Sequence, residues 1–84
     1  MKLISDFNER FVYLKTNGFI DGGDITAVAE LTGISRFTVW EYSRGNAKSF
    51  TTAEIIMKAF NKIVEDRSLL IEKSEVLKED LNQD

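Results

Sequence analysis

No proline occurs anywhere in this chain, and its five glycines stand only at Gly18, Gly22, Gly23, Gly33 and Gly45. Proline and glycine are the strongest local interrupters of regular backbone, so the spans between these points are free to run as helices. In the first span Ile4, Phe7, Phe11 and Leu14 recur at steps of three and four, which lines one helical face over residues 5–16, and Thr16-Asn17-Gly18 stops it. The stretch from Gly18 to Asp24 reads as a loop, with Asp24 placed to cap a second helix over 25–32. Gly33 follows as a helix-ending glycine, and Ser35 caps a third helix that runs to Ser43 and is closed by Gly45. After the polar stretch 46–49, Thr51 with Glu54 three residues later has capping-box spacing and opens a long final helix. Alternating strand patterns are missing. The expectation is an all-α chain, a single small helical bundle with residues 1–50 around the short helices and residues 51–84 as the C-terminal helix.

Composition narrows the chemistry. At 84 residues, 43 % hydrophobic and 30 % charged, there is material for one modest core. With neither cysteine nor histidine, disulfides, thiolate metal sites and the commonest general base are all ruled out, so no enzyme, no metal and no cofactor is expected. The opening Met-Lys-Leu-Ile-Ser-Asp-Phe-Asn lacks the continuous apolar region of a signal peptide, and no later run is apolar enough to span a bilayer, which predicts a cytoplasmic protein with no membrane partner. The net charge of −3 is unevenly spread. Residues 65–84 hold seven acids against three bases, a local −4, which leaves +1 on residues 1–64 with their eight lysines and arginines. A local cationic patch is therefore compatible with the acidic total.

Along the last helix Ile56, Phe60, Ile63, Arg67, Leu70, Ser74, Leu77 and Leu81 follow four-three spacing, the seam of a coiled coil with polar breaks at Arg67 and Ser74. A second strand is implied, so the chain is expected to pair with a copy of itself through Phe60, Ile63, Arg67, Leu70, Ser74, Leu77 and Leu81. The alternative is that the front half of the helix packs on the chain's own core and the rear half is solvated.

The segment from Asp24 to Gly45 carries the functional signal. Two short helices flank Gly33-Ile34-Ser35; Ala29 is small where the third helix crosses, Gly33 permits the tight turn, and Val28, Ile34, Val39 and Tyr42 form an apolar wedge between them. This pattern resembles the helix-turn-helix of the lambda-repressor-like family of phage and plasmid regulators, and Val-Ala-Glu-Leu-Thr-Gly-Ile-Ser is also similar to lactose-repressor headpieces. The helix preceding the motif fits the lambda-type arrangement. The resemblance implies double-stranded DNA as the partner, with the helix over 35–44 in the major groove.

With Val39 and Tyr42 turned inward, helical spacing turns Ser35, Arg36, Phe37, Trp40, Glu41 and Arg44 outward, and the resemblance implies that Ser35, Arg36, Phe37, Trp40 and Glu41 meet base edges. Arg36 suits bidentate recognition of guanine, and Glu41 either accepts from cytosine or pairs with Arg44 three residues on. Phe37 and Trp40 either meet thymine methyls and bases or, for Trp40, fold back on the domain. Thr26, Thr38, Arg44, Asn46, Lys48, Ser49 and Thr51 are the expected phosphate contacts. A homodimeric repressor on an inverted-repeat operator is the leading expectation; a protein-binding adaptor of antirepressor or antitoxin type, using the aromatic face and acidic tail, is the alternative.

Overall fold

The computed structural model describes the backbone of residues 3–82 and the side chains of residues 3–67. Four helices follow one another, α1 (Ile4–Thr16), α2 (Gly22–Thr32), α3 (Arg36–Ser43) and α4 (Phe50–Asn82), and there is no strand among the described residues. The chain is an all-α bundle. Also among the described residues, no helix is long and apolar enough to cross a membrane.

One face of α1 supplies Phe7, Phe11 and Leu14 to the core, the four-three steps of which place them on a single stripe. Phe11 is fully enclosed and lies at the crossing of three helices, its ring edge-on to Tyr42 of α3 at 6.4 Å and to Phe60 of α4 at 6.1 Å. Such edge-to-face pairs add about 0.5–1.5 kcal/mol beyond the area they bury. Val28 and Val39 are fully buried between α2 and α3, with Ala29 and Ile34 packed against them, so the wedge expected from the motif is in place.

Three features of the described chain depart from expectation. Helix α2 starts three residues early, because Asp21 is its cap: Asp21 accepts the Asp24 N–H at 3.0 Å and Asp24 accepts the Asp21 N–H at 2.9 Å. Gly22 and Gly23 thus sit in the first helical turn, where backbone N–H groups have no intrahelical acceptor and a reciprocal pair of carboxylates compensates for weak helix formers. The loop is correspondingly only residues 17–21.

At the start of α4 it is Ser49, one position before the helix, that caps; its hydroxyl accepts the Thr52 N–H at 3.3 Å and its carbonyl the Ala53 N–H at 2.9 Å. Thr51 stands inside the first turn instead.

The front of the heptad seam is the third correction. Ile56 and Phe60 are wholly buried, and Ile63 is half-buried against the same core, so this stretch of α4 completes its own bundle and offers Phe60 to no second chain. Helical periodicity of 3.6 and heptad periodicity of 3.5 are indistinguishable over two turns, which is why one pattern served both readings. Arg67 is equally engaged: its Nη2 lies 2.6 Å from Asp24 Oδ1 and its Nη1 donates to the Phe19 carbonyl at 3.1 Å. The expected seam residues Leu70, Ser74, Leu77 and Leu81 have side chains outside the described residues.

Candidate nucleic-acid interface

Gly33 makes the turn between α2 and α3 possible. Its φ of 74° lies in the left-handed region, and its N–H closes α2 on the Ala29 carbonyl at 3.0 Å. Ser35 then starts α3: its hydroxyl accepts the Thr38 N–H at 3.2 Å, and its carbonyl takes the Val39 N–H at 3.0 Å. Val39, Tyr42 and Ser43 face the core, which leaves Arg36, Phe37 and Trp40 on the outer side of a helix of only eight residues, with Arg44 exposed at its C-terminal cap.

These four form one continuous surface. Phe37 is 69 % exposed and its ring lies 5.9 Å from that of Trp40, which retains 36 % of its surface. The Arg44 guanidinium stacks over the Trp40 ring at 4.6 Å, a cation–π contact that keeps the charge at the surface while holding the indole in place. Trp40 takes an intermediate course between the two expectations, lining a cleft with Ile20 and Ile25 while staying partly exposed. On the far side Arg36 donates through Nε to Thr26 Oγ1 at 3.0 Å, so the arginine is steered by α2, and among the described residues neither Nη group has a hydrogen-bond partner.

Several of the expected polar contacts are already engaged within the chain. Thr26 donates to the Gly22 carbonyl at 3.3 Å as well as holding Arg36. The Ser35 and Thr38 hydroxyls are bonded to each other at 2.8 Å. Glu41 lies 3.9 Å from Arg44 and accepts from Asn46 Nδ2 at 3.3 Å, the intrahelical role rather than the base-reading one. Exposed Lys48 is left out of the described ion pairs, and the Phe50 and Thr51 N–H groups at the start of α4 have no acceptor among the described residues.

The loop that carries Asn46, Lys48 and Ser49 is anchored at three places. The Ala47 N–H donates to Asn8 Oδ1 at 2.8 Å, the Ser49 N–H donates to Tyr42 Oη at 3.0 Å, and Gly45 has a φ of 88°. A Cβ at Gly45 would come within 2.7 Å of Val12 Cγ2, so α1 packs directly on the glycine. The loop therefore has one shape, set by α1 and α3 jointly.

Two residues of this face escape the sequence pattern. Lys15, in the last turn of α1, lines a cleft with Asp21, Arg36 and Trp40 and a second cleft with Arg44, which brings a third cation to this face together with one carboxylate. In the sequence it is an ordinary solvent-facing lysine near a helix end, and only the docking of α1 against α3 brings it here. Asn8, the loop's anchor, likewise lies thirty-nine residues from its partner. Among the described residues, neither Lys15 nor Arg36 pairs with a carboxylate.

No protein-family model, no curated protein and no solved structure matches this chain. The functional reading accordingly rests on the geometry of the α3 face.

Proposed function

We propose that the chain is a sequence-specific DNA-binding regulator that inserts α3 into the major groove and grips the flanking phosphates with the α3–α4 loop. The observation that carries this reading is the outer surface of α3, where Lys15, Arg36 and Arg44 gather around exposed aromatic rings and Lys48 follows on the anchored loop. Phosphate contacts draw their strength from cations able to displace counterions, and base edges are read by side chains that are exposed and held in place. Arg36 meets both conditions through its bond to Thr26. The resemblance of residues 24–45 to the lambda-repressor-like family supports the same reading.

Pairing of two copies is part of the proposal. The four-three spacing that continues from Ile63 through Leu70, Ser74, Leu77 and Leu81 supports a seam along the rear of α4, and a two-fold dimer would then set its reading helices roughly 34 Å apart on an inverted repeat. Regulation follows from occupancy of that repeat.

Titration of duplex DNA of random sequence at several salt concentrations tests the first step, since counterion release makes log affinity fall linearly with log salt. Selection of bound sites from a random oligonucleotide pool tests the second. Enrichment of an inverted repeat is the expected result. Salt-independent or absent binding would instead favour an adaptor that offers Phe37 and Trp40 to a protein partner.

A further inference from the structure

We infer that Arg36 and Phe37 together read a thymine–guanine step, an assignment that rests on the DNA-binding reading above and gives it a base preference. Arg36 donates from Nε to Thr26 Oγ1, and Thr26 is itself tied to the Gly22 carbonyl. This bond occupies the Nε–H of the guanidinium. What remains is the pair of Nη groups, whose spacing matches the O6 and N7 acceptors of guanine in the major groove. Among the described residues no carboxylate forms an ion pair with Arg36, so the fork is available to a base. Thr26 is on this view a positioning residue for the arginine.

Phe37 is the next residue along the same turn. Its ring has no hydrogen-bonding atom, so it cannot read the polar groups of a base edge, and the one apolar projection in the major groove is the 5-methyl group of thymine. The side chain is 69 % exposed, with the tilted Trp40 ring behind it, and Arg36, Phe37 and Trp40 line a concavity of about 340 Å³. Arg36 and Phe37 both leave the first turn of α3, about 1.5 Å apart along its axis and about 100° apart around it, and line that one concavity. The assignment accordingly places the methyl and the guanine that they read on neighbouring base pairs.

The experiment uses the full chain and the best duplex selected from the random pool, with binding followed by the fluorescence of Trp40, the only tryptophan in the sequence. Each thymine is replaced in turn by deoxyuridine, which deletes the methyl and keeps every hydrogen bond, and each guanine by 7-deazaguanine, which deletes N7. One thymine, beside a guanine sensitive to the deaza change, is expected to lose about fourfold in affinity as uracil, the equivalent of one buried methyl group. In Phe37→Ala that fourfold difference is expected to vanish while sensitivity to 7-deazaguanine persists; in Thr26→Val the guanine sensitivity shrinks and the methyl effect stays. Uracil tolerated at every position, or a methyl effect undiminished in Phe37→Ala, overturns the step assignment and leaves DNA binding intact. Failure to bind any duplex overturns both readings together.

Discussion

The inner face of α4 and the outer face of α3 treat large apolar side chains in opposite ways. Helix α4 buries Ile56 and Phe60 wholly, with Phe60 against Phe11, whereas α3 leaves Phe37 and Trp40 at the surface beside the Arg44 guanidinium. Their arginines divide along the same line. Arg67 of α4 is bound to Asp24, which is only 6 % exposed, and Arg36 of α3 is bound to a neutral hydroxyl. A charge that closes on a buried carboxylate serves the fold, and a charge that is merely aimed is still available to a ligand. Substitutions should therefore separate cleanly, lowering stability on one helix and binding on the other.

The largest effect is expected at Phe60, whose replacement by alanine should cost about 3–5 kcal/mol of stability in denaturant unfolding, since the site is enclosed on all sides. Next comes Arg67→Met, expected to cost about 1–3 kcal/mol by leaving the Asp24 carboxylate buried without its partner. The hydrogen bond and the charge of Asp24 hold the Arg67 guanidinium above its ordinary value. A group whose proton is held more tightly when folded gives its stabilisation in full below its unfolded value and loses it only as pH rises through the folded one. The difference between Arg67→Met and wild type should hence stay flat from roughly pH 6 to pH 9; a marked slope there would contradict this account of the pair.

On α3 the order of effects reverses. Arg36→Ala should leave stability within about 0.5 kcal/mol of wild type and relax discrimination at one base pair by about 1–3 kcal/mol, measured on selected and singly mismatched duplexes. The smallest effects belong to Lys15→Ala and Lys48→Ala, each of which should weaken all sequences evenly and lower the salt slope by about one. Lys15 sharpens the contrast most, because nothing but its place in the fold nominates it. Unchanged slope in Lys15→Ala would confine the interface to α3 and its following loop.

Much of this arrangement was legible in the order of residues. The stripe of Phe7, Phe11 and Leu14, the left-handed Gly33 and the cap at Ser35 are local matters, decided by neighbours within one or two turns. The structure departs from the sequence reading where a nearby residue offers a second local solution. Asp24 has the side chain of a cap, but Asp21 three residues earlier has it too, and the reciprocal bond between them favours the earlier start. Ser49 and Thr51 competed in the same way at α4, and Ser49 prevailed because Tyr42 also holds its N–H. The heptad spacing at Ile56 and Phe60 could not reveal whether the covering surface would come from the same chain. Of the candidate site, Arg36, Phe37, Trp40 and Arg44 follow from the face that Val39 and Tyr42 leave outside, while Lys15 and Asn8 depend on how distant helices dock.

That docking bears on how portable the unit is. Because Val12 sits where a side chain at position 45 would have to go, and Asn8 holds the backbone two residues later, the distance from α3 to Lys48 is gauged by a helix outside the two-helix motif. Residues 22–49 transplanted onto another scaffold would carry the face proposed to meet DNA but arrive without the ruler that sets Lys48 at its distance from it.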